Sequence, residues 1–314
     1  MATPELRHML RDDDLNHEEQ KQVLELAIKF HNDRFYHQPF AGPQGIAVIF
    51  DKPSTRTRSS FSIGVAELGG YPLVIDKSGS QLGRGEPVAD TARVLDRMAY
   101  GVVWRTFGQD RVEEMAKYST HPVVNALTDE FHPCQILADF QTIAEHRGGV
   151  DNLKNQTIAY LGDAANNMAN SYLLVRVAGP NGYLPDPQIV ADAEAIASEN
   201  GGSVLVTTDP KEAVAGADCV FTDTWVSMGE EAEYAIRSKP FRDYQVNAEL
   251  MSYAKEDAIF QHCLPAYRGK EVTTEVIDGP QSVVWDEAGN RLHAQKALLT
   301  WLAGKARGDE SLLA

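Results

Sequence analysis

Short apolar runs alternate with stretches of helical periodicity along most of the chain. Ile46-Ala-Val-Ile-Phe50 is rich in β-branched residues, follows Gly45 and has the near-continuous apolar character of a strand buried on both faces. Beyond the polar stretch Asp51-Lys-Pro-Ser-Thr-Arg-Thr-Arg58, Phe61, Val65 and Leu68 recur at helical spacing. Further strands are predicted at Tyr71–Asp76, Gly101–Trp104 and Pro122–Leu127. Helices are predicted from Pro87 to Met98 and from Asp110 to Tyr118. An opening helix, Asn16–Phe30, carries Asn16 and Glu19 at capping-box spacing. Between Tyr71–Asp76 and Pro87, the polar loop Lys77–Glu86 holds three glycines, which marks it as mobile or functional rather than a plain connection.

His132-Pro-Cys-Gln135 opens a long helix reaching His146, with Pro133 well placed in the first turn and Arg147-Gly-Gly149 ending it. This helix reads as a bridge to a second series. That series has strands at Thr157–Asp163, Ser203–Thr207, Asp218–Asp223 and Ala258–Cys263, with a helix starting around Ala164–Met168. A last helix, Asn290–Ala306, is expected to pack back on the first series. The alternation implies an α/β protein with two doubly wound parallel-sheet domains joined by long helices. The expected division is 1–136 and 137–289, with 290–314 returning to the first domain. One place breaks the pattern. The helix Asn167–Val175 runs into Arg176-Val-Ala-Gly-Pro180 with no room for a turn and a following strand, whereas such connections take about 2–6 residues. Either the segment is shortened here or residues are missing.

Composition narrows the function. The 314 residues are 43% hydrophobic and 24% charged, as in a soluble globular protein of two ordinary domains. No apolar run is long enough to span a membrane, and the start, Met-Ala-Thr-Pro-Glu-Leu-Arg, lacks the apolar core of a secretory signal. Three scattered cysteines, Cys134, Cys219 and Cys263, do not make a disulfide framework and fit a cytoplasmic location. A formal charge of −16 argues against nucleic acid as a partner, so any bound anion needs a local positive pocket.

Such a pocket is legible after the first strand. Free N–H groups and the positive end of the helix dipole favour an anion where the following helix begins. Ser54, Thr55 and Thr57 add hydroxyls there, and Arg56 offers a planar fork for phosphate. A capping cluster with two solvated arginines is the plainer alternative. The stretch has no Gly-x-x-x-x-Gly-Lys-Ser/Thr and is not a nucleotide P-loop. Ligands of open α/β sheets bind beyond the carboxyl ends of strands. Those ends present Arg105-Thr106 and His132–Gln135 in the first series, and Asp163–Asn167, Asp223–Gly229 and Cys263-Leu-Pro265 in the second. Taken singly, His132 or Asn166-Asn167 reads as a cap, Arg105 as a surface ion-pair partner and Cys263 as a small buried hydrophobe. Recurrence at successive strand ends favours a site. Cations, hydroxyls and amides in one half suit a phosphorylated carbonyl compound; carboxylates, amides and a thiol in the other suit an amino acid.

Ser54-Thr-Arg-Thr-Arg58, His132-Pro-Cys-Gln135, Asp223-Thr-Trp-Val-Ser-Met-Gly229, His262-Cys-Leu-Pro265 and Asn290-Arg-Leu-His293 together resemble the ornithine carbamoyltransferases of the aspartate/ornithine transcarbamoylase family, over essentially the whole chain. The first two motifs are shared with related transcarbamoylases; the Ser-Met-Gly loop and Cys-Leu-Pro point to ornithine. The resemblance implies a carbamoyl phosphate site of Ser54, Thr55, Arg56, Thr57, Arg105, His132 and Gln135, with Arg291 completing it from the start of the last helix. It implies that Gln81 is supplied to a neighbouring subunit's site in a homotrimer. Ornithine would be held by Asn167, Asp223, Ser227 and Met228, with Cys263 and Leu264 near its side-chain amine and the carbamoyl group. Arg105, His132 and Cys263 would be catalytic. The implied reaction, in arginine biosynthesis, gives citrulline and phosphate without metal, cofactor or covalent enzyme intermediate. Two other readings compete: a nicotinamide dehydrogenase, weakened because Leu161-Gly-Asp-Ala-Ala-Asn-Asn167 lacks Gly-x-Gly-x-x-Gly, and a two-domain binding protein without chemistry.

Overall fold

A computed structural model describes residues 3–79, 81–171, 176–226 and 238–313. The chain forms two compact units, Met1–Gln141 with Gly289–Ala314, and Thr142–Ala288. The first is built on strands β1 (Gly45–Phe50), β2 (Tyr71–Asp76), β3 (Val102–Arg105) and β4 (Val123–Leu127). All pair in parallel in the order β2-β1-β3-β4. Its helices are α1 (His17–Asn32), α2 (Thr55–Glu67), α3 (Val88–Leu95), α4 (Gln109–Tyr118) and α5 (Pro133–His146), the last crossing the division between units. The capping box of α1 forms as its spacing predicts: Asn16 accepts from the Glu19 N–H, and the Glu19 side chain accepts from the Asn16 N–H. The buried faces of β1 and β3 pack with α3 and α4 into a core around Trp104, Val102, Leu95, Val112 and Met115. The glycine loop after β2 folds into two short 3-10 turns, Lys77–Gly79 and Leu82–Arg84.

Asp96, just beyond α3, anchors the entry to β4. Its carboxylate accepts from the Ser119 hydroxyl (3.1 Å), the Thr120 N–H (2.6 Å) and hydroxyl (2.8 Å), and faces His121 Nδ1 (3.0 Å). Burial alone would push this carboxyl up; the hydrogen bonds from His121, Thr120 and Ser119 outweigh it and hold Asp96 down at about 2. A carboxyl depressed in the folded state stabilises above its unfolded value, and that stability is lost as pH falls through the folded value. Asp96→Ala is therefore expected to cost about 1–3 kcal/mol near neutral pH. Urea unfolding of both proteins should show the difference shrinking as pH falls from about 4 towards 2.

The second unit has strands β5 (Ile158–Leu161), β6 (Arg176–Ala178), β7 (Leu205–Thr207), β8 (Cys219–Thr222) and β9 (Ile259–His262), parallel in the order β7-β6-β5-β8-β9. With them go α6 (Asn167–Ser171), α7 (Pro187–Asn200), α8 (Pro210–Val214), α9 (Ala248–Met251) and α10 (Thr274–Ile277). Their apolar residues bury a core that includes Leu161, Val220, Phe260, Val246, Ile277 and Val284. The architecture is α/β with two parallel sheets, as the alternation of patterns predicts.

Two expectations fail locally. Where no room for a strand was read after Val175, β6 starts at Arg176 and pairs with β5 and β7; residues 172–175 lie outside the described residues. Three paired residues suffice because β6 lies inside a parallel ladder, where hydrogen bonds on both sides replace the length an isolated strand would need. The last helix, α11 (Val284–Arg307), begins at Val284 rather than Asn290. The helix runs through Gly289, and a helical glycine costs only about 1 kcal/mol. Asp286 and Glu287 in the first turn face the favourable end of the helix dipole. From Gly289 onward α11 belongs to the first unit, where Trp301 Nε1 donates to Gln22 (3.0 Å) and the buried Lys296 donates to Glu67 (2.7 Å) and to the Arg34 carbonyl. Among the described residues no helix is long and apolar enough to cross a membrane.

Candidate active site

Each sheet reverses its winding once, and Ser54–Arg58 and Arg105 in the first unit, with Asn167 and Asp223 in the second, stand at or beyond the carboxyl ends of the strands at those reversals. In the first unit β1 leads outward to β2, while β3 leads the other way to β4, so the crevice opens between the carboxyl ends of β1 and β3. Phe50 lies opposite Arg105 there, and the Asp51 N–H donates to the Arg105 carbonyl (2.9 Å). Ser54 is the N-cap of α2, its hydroxyl accepting from the Thr57 N–H (3.2 Å). Thr55, Arg56 and Thr57 form the first turn, where backbone N–H groups lack helical partners and favour an anion. The two arginines of the motif differ. Arg58 pairs with Asp76 and lies over the Phe50 ring, whereas the half-buried Arg56 makes no hydrogen bond or ion pair with another described residue.

Thr57 is fully buried, and its hydroxyl accepts from Arg291 NH2 at 2.6 Å. Arg291 lies at the end of the second turn of α11, not at its start as read from sequence. His132 stands immediately before α5 and is buried; burial first, then the charges of Arg291 and Arg105, holds its imidazole well below the ordinary histidine value. At neutral pH it is an uncharged hydrogen-bonding group. Gln135, in the first turn of α5, donates to Asp139 (2.8 Å). Cys134 is structural: burial pushes its thiol up to about 12, and it donates to the Asn125 carbonyl (3.3 Å). Gln81 is exposed, just before the second 3-10 turn of the glycine loop.

In the second unit the winding reverses between β5 and β8. Asn167 starts α6 after β5, and Asp223 follows β8 directly. Cys263 and Leu264 follow β9. The Cys263 thiol donates to Asp223 Oδ1 (3.1 Å), which also accepts from the Thr224 N–H (2.7 Å). Leu264 has a left-handed backbone, φ 58°, which costs a leucine of order 1 kcal/mol or more and is typical of functional sites. His262 holds it: buried Nδ1 accepts from the Leu264 N–H (2.9 Å), so Nε2 carries the proton and faces Glu271 (3.3 Å). Glu287 accepts from the His262 N–H (2.8 Å). Ligand atoms of Asp223, His262 and Cys263 lie within 4.8 Å of one another, a spacing that suits a metal ion, but both ring nitrogens of His262 and the Cys263 thiol are already committed. Ser227 and Met228 lie outside the described residues.

A model of the aspartate/ornithine carbamoyltransferase carbamoyl-P binding domain matches residues 7–145, and one of the Asp/Orn binding domain matches residues 154–302. The chain belongs to the aspartate/ornithine carbamoyltransferase family. An ornithine carbamoyltransferase from Bifidobacterium longum subsp. infantis is 89% identical over 320 residues, covering 99% of this chain and all of the relative. That span exceeds the 314 residues here, so the relative carries residues with no counterpart in this chain. One from Clavibacter sepedonicus is 60% identical over 94% of the chain and 98% of the relative. Among solved structures, the ornithine carbamoyltransferase from Pyrococcus furiosus superposes with a TM-score of 0.88 at 46% identity, covering 94% of this chain and 96% of that one.

Within this carbamoyltransferase, sequence motifs name the residues at both winding reversals but miss those that hold them. Asp51, almost fully buried at its side chain, accepts from Trp104 Nε1 (3.1 Å), the Thr106 hydroxyl (2.6 Å) and Arg111 (3.3 Å), tying the end of β1 to that of β3. Glu271 and Glu287 do the same for the His262-Cys-Leu-Pro265 turn. The only signal in sequence is an acidic residue beside apolar positions, which surface residues share.

Proposed function

We propose that the chain transfers the carbamoyl group of carbamoyl phosphate to the δ-amine of L-ornithine, giving L-citrulline and phosphate in arginine biosynthesis. The observation that carries this reading is the paired geometry at the start of α2: Ser54 caps it, Arg291 holds Thr57, and Arg56 keeps its guanidinium for a ligand. Ser54, Thr55, Arg56 and Thr57 take the phosphate. Arg105, His132 and Gln135 face the carbamoyl group; the neutral imidazole donates to its oxygen without placing a third cation there. Donors aimed at a developing oxyanion strengthen as charge builds, and losing one typically costs about 2.7–4 kcal/mol. Asn167, Asp223, Ser227 and Met228 hold the α-amine and α-carboxylate of ornithine, and Cys263 and Leu264 line the path of its side-chain amine. The neutral amine attacks the carbamoyl carbon, a tetrahedral intermediate forms, and the C–O bond breaks as phosphate leaves with the amine proton. Incubation with carbamoyl phosphate and ornithine should yield citrulline and phosphate in equal amounts; no product from folded protein overturns the reading.

The active form is a cytoplasmic homotrimer in which Gln81 completes a neighbour's site, consistent with its exposure in the glycine loop. Gln81→Ala and Arg105→Ala should each be nearly inactive alone and should regain activity after subunit exchange, since about a quarter of sites then contain both intact residues at equal mixing. No recovery after exchange verified by mass labelling would place each site within one chain.

A further inference from the structure

We propose that Tyr160 is a positioning residue for the amino-acid acceptor, fixing Asn167 through a hydrogen bond to its neighbour Asn166; this rests on the acceptor role given to Asn167 above. Tyr160 is the third residue of β5 and is fully buried. Its ring stacks on Phe221 of the adjacent strand β8, with centroids 5.9 Å apart and planes at 22°. A phenylalanine would fill the same space. The hydroxyl is what differs, and it is used: Asn166 Nδ2 donates to it at 2.9 Å, and it donates to the Asp163 carbonyl at 3.3 Å.

The two residues bonded to the hydroxyl also organise the rest of the loop. Asn166 Oδ1 accepts from the Ala169 N–H (2.9 Å), capping α6, while the Asn166 carbonyl accepts from the Asn170 N–H (3.1 Å). Asp163 Oδ1 accepts from the Ala165 N–H (3.2 Å), so both side chains and both ends of the segment from Asp163 to Asn166 are bonded. The near side of the loop is pinned by close packing, since a Cβ at Gly179 would meet the Gly162 carbonyl at 2.7 Å and Ala164 Cβ at 3.0 Å. On the far side Asn166 is held by the Tyr160 hydroxyl, and Met168 and Ala169 beyond it are buried. The Asn166 side chain caps α6, so its position helps set where the helix begins and, with it, Asn167 at the first position. Burial, then the charges of Asp223 and Asp163, push the phenol well above its ordinary range, so the hydroxyl keeps its proton and remains a donor at every working pH.

Steady-state kinetics of the full chain test this, with wild type first. If wild type makes no citrulline from carbamoyl phosphate and ornithine, the functional reading fails. If wild type is active, Tyr160→Phe should raise the KM for ornithine roughly five- to tenfold, as the loss of one buried hydrogen bond implies. The KM for carbamoyl phosphate should stay within about twofold and kcat within about threefold. A purely structural role would lower the active fraction and leave both KM values alone. Asn166→Ala, at a half-buried position, should show the same split, and the double variant should be no worse than Asn166→Ala alone. An unchanged ornithine KM in folded Tyr160→Phe, or equal rises in both KM values, overturns the proposal. Should Tyr160→Phe not fold, an unchanged ornithine KM in Asn166→Ala overturns it equally.

Discussion

Arg56→Ala is expected to lower kcat/KM for carbamoyl phosphate by roughly two to three orders of magnitude, about 3–4 kcal/mol. The size follows from the environment. Arg56 sits in the first turn of α2, half-buried, among N–H groups that have no helical partner, and it spends nothing on another described side chain. Water screens it less than an exposed arginine, and a bidentate bond to phosphate is among the stronger contacts a side chain makes. Removing it should leave the fold intact, because the turn is held by the Ser54 cap and by Thr57, not by Arg56. Arg58→Ala is the internal control: it breaks a partly exposed pair with Asp76 and should change kcat/KM far less. Circular dichroism and thermal melts of both variants, with citrulline formation measured against carbamoyl phosphate, decide the matter. Near-normal activity in folded Arg56→Ala would remove the phosphate from this turn.

The second large effect concerns the acceptor. Asp223→Asn should raise the KM for ornithine roughly ten- to hundredfold, about 1.5–3 kcal/mol for a hydrogen bond to a charged group, with little change in the KM for carbamoyl phosphate. Asp223 faces the site with an oxygen already organised by the Thr224 N–H and the Cys263 thiol, so an amide there loses charge and one acceptor position together. The nucleophile must be the free amine, and an alkyl amine titrates near pH 10.4, so only about one molecule in a thousand is ready at neutral pH. At subsaturating ornithine the rate should therefore climb close to tenfold per pH unit above neutrality. His132 adds no limb near its ordinary value: its lowered titration leaves the imidazole neutral throughout that range. A fall in rate below about pH 6.5 traced to His132 would contradict the role given to it. Putrescine, lacking the α-carboxylate, should react poorly; equal rates with ornithine would dismiss the roles given to Asn167, Ser227 and Met228.

What the sequence determines here is local. The Asn16–Glu19 capping box, the Ser54 cap, the buried parallel strands and the helices between them depend on residues within a turn or two of each other, so spacing suffices to read them. The motifs at strand ends are local too, which is why both winding reversals carry residues named in advance. Pairing and desolvation are not local, and the tertiary structure alone decides them. Thr57 meets Arg291 across 234 positions of sequence. Arg58 is spent on Asp76 while Arg56 stays available, although the two occupy equivalent places in the motif. His132 is neutral because burial and two guanidiniums act on it, and no spacing rule contains that information. Strand β6 exists because β5 and β7 supply partners on either side, and α11 runs through Gly289 because the cost of one glycine is small against the packing of the whole helix. Tyr160 reads as one more apolar strand residue until its hydroxyl is seen to hold Asn166.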